Sequence, residues 1–417
     1  MNSFFVNLVL SLAVISIVMT SANGFDLFPG EEWETGFINV DPDKALFYYF
    51  FKCRNKTMEN PPLLIWLEGG PSYTSAAGVY MHGGPYIVDN VTSEIVRNKD
   101  AWNNIADVLF IDQPAGTIFS YSNDLKKICE NMTCVAEDLY IFILNFYHTH
   151  QQYRQRNLYI SGTSYAGHFV PAFAKRIVQD GKSVIPFKGI ITFNGFYDAF
   201  TQVEGNLLFL YVNKLISKTQ YIVSRTAIAL CRVVDFYNIP LLSMLCGQTD
   251  YLAYKALGVK NDPYNIELMP GPDVYEEKMK VYMNQPEVQK ALGVNQTFTF
   301  YNWTVFGALL EENDEHMYPE LSLEVQNGFK VYFVHGDVDY MCSYIGGIMV
   351  AENIEWEGQG EFIKQPFVDM EMNGVVLGKA RRYKNLAFVI VHHTGHSIFY
   401  RQRAFGLEIL KEFMNIS

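Results

Sequence analysis

The stretch LYISGTSYAGHFVP (158–171) constrains this chain more than any other, because an apolar run breaks at Gly162, presents Ser164, and resumes as small and helix-forming residues. A strand that turns this sharply into a helix lifts a serine hydroxyl clear of the sheet. It needs small side chains at Gly162, Ala166 and Gly167 so that the two elements can approach. Taken alone, serine among small residues is equally an ordinary turn or the start of a helix.

Two later apolar runs give Ser164 its partners. FKVYFVH (329–335) runs into Gly336, Asp337, Val338 and Asp339, and LAFVIVHH (386–393) runs into Thr394, Gly395 and His396. A serine, an acid and a histidine thus follow three separate strands, in the chain order of α/β-hydrolases. In an open α/β sheet the carboxyl ends of parallel strands form the ligand crevice, where residues far apart in sequence meet. The competing reading is that Asp337 and Asp339 cap a turn while His396 packs beside Gly395.

At 417 residues, with 49% hydrophobic and 18% charged, the chain can bury a substantial core. Its net charge of -12 argues against a nucleic-acid partner, which selects for clustered Lys and Arg. GFINVDPDKALFYYFF (36–51) alternates around a Pro-Asp turn and predicts a β-hairpin, while LLIWL (63–67), DVLFI (107–111) and KGIITF (188–193) predict buried strands. Helical patterns cover 134–147, 167–179 and 404–414. Alternating strands and helices imply an α/β fold, with a mainly parallel central sheet flanked by helices. Between about 200 and 278 the rhythm changes to aromatic and helical segments without a clear strand, which predicts an inserted, mostly helical cap. The resulting division is a signal peptide at 1–24, a first part of the core at 25–199, the cap at 200–279 and a second part of the core at 280–417.

Residues 4–19 are apolar, and Ser21, Ala22, Asn23 and Gly24 supply the small residues of a cleavage region. They predict export, to a secreted or a lysosomal or vacuolar location, with no stable membrane span once the signal is removed. The segment lacks the usual Lys or Arg near Met1, so an uncleaved anchor is the alternative. Sequons at Asn55, Asn90, Asn131, Asn295, Asn302 and Asn415 agree with passage through a secretory lumen. Cysteines in an exported chain predict disulfides, with Cys129–Cys134 and Cys231–Cys246 the economical local pairs. No Cys or His spacing matches a zinc site, so His148, His150, His392 and His393 are read as surface or packing residues. The sequence implies no metal and no cofactor.

After the first buried strand comes EGGPSYTS (68–75), where Gly69 and Gly70 let backbone amides turn toward a ligand without Cβ obstruction. The amides of Gly70 and Tyr165 are candidates for holding the oxyanion of an acyl-transfer intermediate, although a plain glycine turn has the same signature.

PLLIWLEGGP (62–71), AWNNIADVLFIDQPAGTIFSYS (101–122), GTSYAGHFVPAFA (162–174), MNQPEVQKALGV (283–294), HGDVDYMC (335–342) and TGH (394–396) occur in the order of one family. From about Gly36 to the C-terminus the chain resembles the serine carboxypeptidases of the α/β-hydrolase fold. The resemblance implies a triad of Ser164, Asp339 and His396, with Gly70 and Tyr165 as oxyanion donors, removing residues from peptide C-termini in an acidic compartment. It also implies that Asp337 is structural.

The departures are as informative. The family usually carries Asn at Glu68 and Glu at Thr163, and many members carry Glu at His82. In the family these three positions form the network that recognises the terminal carboxylate, and Gly69 joins them in the substrate-binding set. Closely placed acids there tie binding to acidic pH. Glu68 and His82 are expected to converge as an acid and base pair, with ionised Glu68 repelling a carboxylate; the alternative is a specificity that has simply drifted. The family also commonly joins a cysteine just after its GGPG turn to one in a later WxxC segment, where this chain has Tyr73 and Phe306, so an aromatic contact is expected in place of a cross-link. Ser72 and Ile118 stand at family glycines. Ser397 replaces a Met beside His396, which makes the leaving-group subsite smaller and more polar.

The reading is therefore a serine-type carboxypeptidase with altered carboxylate recognition, acting on peptide or protein C-termini through an acyl-enzyme. A serine acyltransferase or esterase of the same fold, and a catalytically silent binding protein, are the alternatives. A homodimer is one assembly open to the chain.

Overall fold

The computed structural model describes residues 26–89, 94–181, 185–236, 254–255, 257–271, 274–310 and 316–416. The expected signal segment, the Asn90 sequon and Cys246 lie outside them. The chain divides into two compact units. One comprises Met1–Ile160, Arg176–Phe187 and Val274–Leu310, and the other Ser161–Lys175, Lys188–Asp273 and Glu311–Ser417.

In the first unit the predicted hairpin forms from Trp33–Asp41 and Lys44–Phe51, turning at Pro42 and Asp43. Lys44–Phe51 then pairs antiparallel with Asp107–Ile111, which runs parallel to Leu63–Leu67. The last two strands are buried along their whole length, as strands covered on both faces must be, and this is why they read as unbroken apolar runs. The helix Met132–Thr149 starts where the Asn131 side chain accepts the Cys134 amide hydrogen at 2.9 Å.

In the second unit Lys330–Gly336 lies between Phe187–Phe193 and Leu386–Val391, parallel to both, and Val375–Tyr383 and Val368–Met372 continue the sheet antiparallel to its edge. Leu158–Thr163 begins in the first unit and ends in the second, leading directly to Ser164 and the helix Ala166–Gln179. The mixed, mostly parallel sheet with flanking helices and an inserted helical segment is the α/β-hydrolase fold. The insert opens with Ala199–Val212, capped by the Asp198 carboxylate on the Thr201 amide at 2.6 Å, followed by Lys218–Phe236. Leu207, Phe209 and Leu210 of the first of these helices pack with Ile228, Tyr254 and Tyr340 in their own apolar cluster.

Sequence patterning passes over the pair Tyr86–Val88 with Ile95–Arg97 and the two strands at the sheet's edge, Val368–Met372 and Val375–Tyr383. Each is too short or too exposed to carry a clean apolar alternation.

Cys129 and Cys134 form the expected disulfide, Cys231 is disulfide-bonded, and Cys53 and Cys342 are buried thiols. Asn55, Asn295 and Asn415 are exposed. Asn302 differs, because its side-chain nitrogen donates to the Gly116 carbonyl at 2.7 Å. Among the described residues no helix is long and apolar enough to cross a membrane.

Tyr73 and Phe306 do take part in one aromatic cluster. Both rings touch Tyr301, at centroid distances of 4.7 and 6.3 Å, and the Tyr73 hydroxyl donates to Glu276 at 2.5 Å. Ser72 and Ile118, where the resemblance implies glycines, stand at positive φ, 77° and 32°. A β-branched residue at positive φ is strained, at a cost of about 1–3 kcal/mol. Ile118→Gly is therefore expected to raise stability by about 1 kcal/mol, the relief of strain outweighing the entropy of glycine. A urea melt in which the variant unfolds earlier than the parent would refute this.

Candidate active site

Ser164 sits at φ 58°, in the left-handed region, at the turn between strand and helix. Its amide donates to the Phe193 carbonyl at 3.2 Å, and its carbonyl accepts from the Gly167 and Phe196 amides at 2.9 and 2.8 Å. A Cβ on Gly167 would lie 2.3 Å from the Phe196 carbonyl oxygen, so the tight turn exists only because that side chain is hydrogen. The following Tyr165 ring stacks on His168 at 4.8 Å and meets Phe169 edge-on. His168 is fully buried in that stack, which makes it a packing residue of the helix rather than a second base.

Asp339 and His396 are brought together directly, with His396 Nδ1 2.8 Å from Asp339 Oδ2. Asp339 is fully buried and also accepts the Cys342 amide hydrogen, while the His396 side chain remains 17% exposed. One ring nitrogen is thereby committed to the carboxylate and the other is left for chemistry. The His396 amide donates to the Tyr264 carbonyl at 2.7 Å, and the Tyr264 ring meets the imidazole edge-on at 5.2 Å. Asp337 has the structural role expected of it. It accepts the His393 amide hydrogen at 2.7 Å and contacts His392 Nδ1 at 2.8 Å, tying the histidine loop to the aspartate loop.

Sequence reasoning misses two further residues here. His335 is fully buried, its Nδ1 at 3.0 Å from the Cys342 carbonyl, and burial, aided by His396, pushes its pKa down to about 4. It is a neutral ring in the core. Asn194 follows a predicted strand and is followed by Gly195, so in sequence it reads as an ordinary turn residue.

The remaining predicted positions divide between the units. Thr163 is buried and donates to the Phe193 carbonyl at 2.9 Å, and Ser397 precedes the short helix Ile398–Arg401. In the first unit Gly70 lies at φ 113°, where a Cβ would fall 2.6 Å from the Tyr73 nitrogen, and the Gly69 carbonyl accepts the Tyr73 amide hydrogen.

Glu68 and His82 converge as expected, with His82 Nε2 3.6 Å from Glu68 Oε1, which also accepts from Trp66 Nε1 at 2.6 Å. The expected charge is wrong. Burial pushes the Glu68 carboxyl up to about 8, outweighing the Trp66 hydrogen bond, and the nearby Asp112 adds to the rise. Asp112 is itself raised to about 6 by burial despite hydrogen bonds from Ser75 and Thr74. Glu68 is therefore a neutral carboxylic acid through the acidic range.

Cys129, Cys134 and Asp138 cluster at ligand spacing, but the two sulfurs are bonded to each other and Lys44 Nζ holds Asp138 at 2.6 Å. That chemistry is a cross-link and an ion pair, not a metal site.

Comparison with known proteins gives the family. A family model described as serine carboxypeptidase matches residues 25–416. Serine carboxypeptidase 3 of Oryza sativa subsp. japonica is 30% identical over 387 residues, covering 89% of this chain and 76% of the rice protein. Carboxypeptidase Y of Schizosaccharomyces pombe is 28% identical over 421 residues, covering 91% of this chain and 41% of that one. Among solved structures, Kex1(delta)p of Saccharomyces cerevisiae, a prohormone-processing carboxypeptidase, shares the fold with a TM-score of 0.82 at 21% identity, over 92% and 91% of the two chains. The chain belongs to the serine carboxypeptidase family. It is a serine-type carboxypeptidase.

Because the folded state holds the Glu68 proton more tightly than the unfolded chain, this group's contribution to stability is full below about pH 4.5 and is lost as pH rises to about 8. The slope is up to about 1.4 kcal/mol per pH unit. Glu68→Gln should flatten that decline, as read from urea melts at a series of pH values. An unchanged slope in the variant would show that Glu68 titrates normally.

Proposed function

We propose that Ser164, His396 and Asp339 carry the reaction. His396 takes the serine proton, the hydroxyl attacks the scissile carbonyl of a peptide's last bond, and Asp339 holds the imidazole and stabilises its cationic form. The terminal residue leaves as an amine protonated by His396, and water then releases the acyl-enzyme. The observation that carries this reading is the 2.8 Å contact between His396 and buried Asp339, made in the same unit that holds Ser164 on its positive-φ turn. By family resemblance the Gly70 and Tyr165 amides serve as oxyanion donors.

The same resemblance gives carboxylate recognition to Glu68, Gly69, His82 and Thr163, with Ser397 at the leaving residue. Protonated Glu68 is a hydrogen-bond donor suited to a terminal carboxylate; ionised, it repels one. The recognition network is thus rewired around one neutral acid and a histidine. The Cys129–Cys134 disulfide and the exposed sequons support export through the secretory pathway.

Ser164→Ala should lower kcat by about 10⁴-fold or more without loss of fold. In the parent enzyme, a blocked dipeptide with a free C-terminus should be cleaved faster than its amide at pH about 5, and that preference should vanish as pH passes about 8. Equal rates on the two substrates at acid pH would mean that carboxylate recognition is gone.

A further inference from the structure

We propose that Asn194 is a positioning residue for the triad, its side-chain amide fixing the aspartate loop and the histidine loop to the strand end that receives the serine turn. The proposal rests on the triad reading above. Asn194 is fully buried and stands one residue past the Phe187–Phe193 strand, whose terminal carbonyl accepts the Ser164 amide hydrogen. Its own amide donates to Val334 at 2.7 Å. Its Oδ1 accepts the Gly336 amide hydrogen at 2.8 Å, and its Nδ2 donates to the Gly395 carbonyl at 2.9 Å. Gly336 lies three residues before Asp339, and Gly395 immediately before His396.

The two partners dictate the residue type. Gly336 offers a donor and Gly395 an acceptor, so the bridging side chain must present one of each at fixed separation. An amide does so, whereas an ionised carboxylate presents two acceptors and an aliphatic group neither. The backbone imposes a second condition, since φ is 47° and asparagine is among the few residues with a side chain that tolerate this region. The contact is also close. A Cβ on Gly336 would lie 2.2 Å from the Thr394 carbonyl oxygen, so at this point the two loops touch through backbone. Asp337 and the Val338 amide tie the loops to each other, whereas the Asn194 side chain ties both of them to the strand end that receives the serine turn.

The experiment compares Asn194→Asp with Asn194→Gly, alongside Ser164→Ala, following kcat, KM and thermal unfolding from pH 4 to 8. A displacement near 1 Å at the triad costs about 100-fold. Asn194→Gly keeps the backbone conformation but not the bridge, so it should lose about 100-fold in kcat relative to the parent at every pH, with KM within about twofold. Asn194→Asp, whose buried carboxyl is neutral at acid pH and so presents a donor and an acceptor, should stay within about tenfold of the parent at pH 4 to 5 and fall towards the Asn194→Gly level as it ionises. Parental kcat in folded Asn194→Gly, a loss confined to KM, or failure of both variants to fold would each overturn the proposal. If Ser164→Ala instead retained full activity, the triad reading itself would fall.

Discussion

The parallel register of three strands is the constraint on which the rest depends. Val334 stands opposite both Phe193 and Val389, and Gly336 stands opposite Val391, so the aspartate and histidine strands run out at one level and Phe187–Phe193 two residues short of it. Loops leaving such a ladder side by side must bring their polar backbone groups to partners there. Asp339 and His396 meet because hydrogen bonding in the ladder fixes where their two loops begin, and the Phe193 carbonyl, at the end of the third strand, holds the Ser164 amide.

Glycine makes that crowding feasible. Gly167 passes under Phe196, Gly336 against Thr394, and Gly395 against the Tyr264 carbonyl, each too closely for a Cβ. The same demand for unusual backbone is met at Ser72 and Ile118 by residues that carry a side chain. The fold tolerates that strain because the surrounding hydrogen bonds and packing over-determine the turns. Tyr73 and Phe306, where the resemblance implies a cross-link, both pack on Tyr301 instead.

Much of this was legible in the chain. The hairpin at 36–51, the strands at 63–67 and 107–111, and the helix ending at Gln179 are where periodicity puts them, because each is long or apolar enough for burial to dominate its pattern. The approach of Glu68 to His82 and the structural duty of Asp337 could also be read ahead. The edge strand Val368–Met372 could not, since an exposed strand has little apolar alternation to read. His335 escaped notice because a histidine within an apolar strand gives no sign of which way its ring faces.

What the sequence determined by itself was the order of chemistry along the chain: a serine on a glycine-lined turn, an acid after one buried strand, a histidine after another. These are local facts of residue type and spacing. Only the tertiary structure decided that Glu68 is a neutral acid, that Tyr301 joins Tyr73 to Phe306, and that the Asn194 amide spans two loops. Each depends on atoms brought near by folding, and neither desolvation nor a hydrogen bond across 142 or 201 positions can be read from neighbours in the chain.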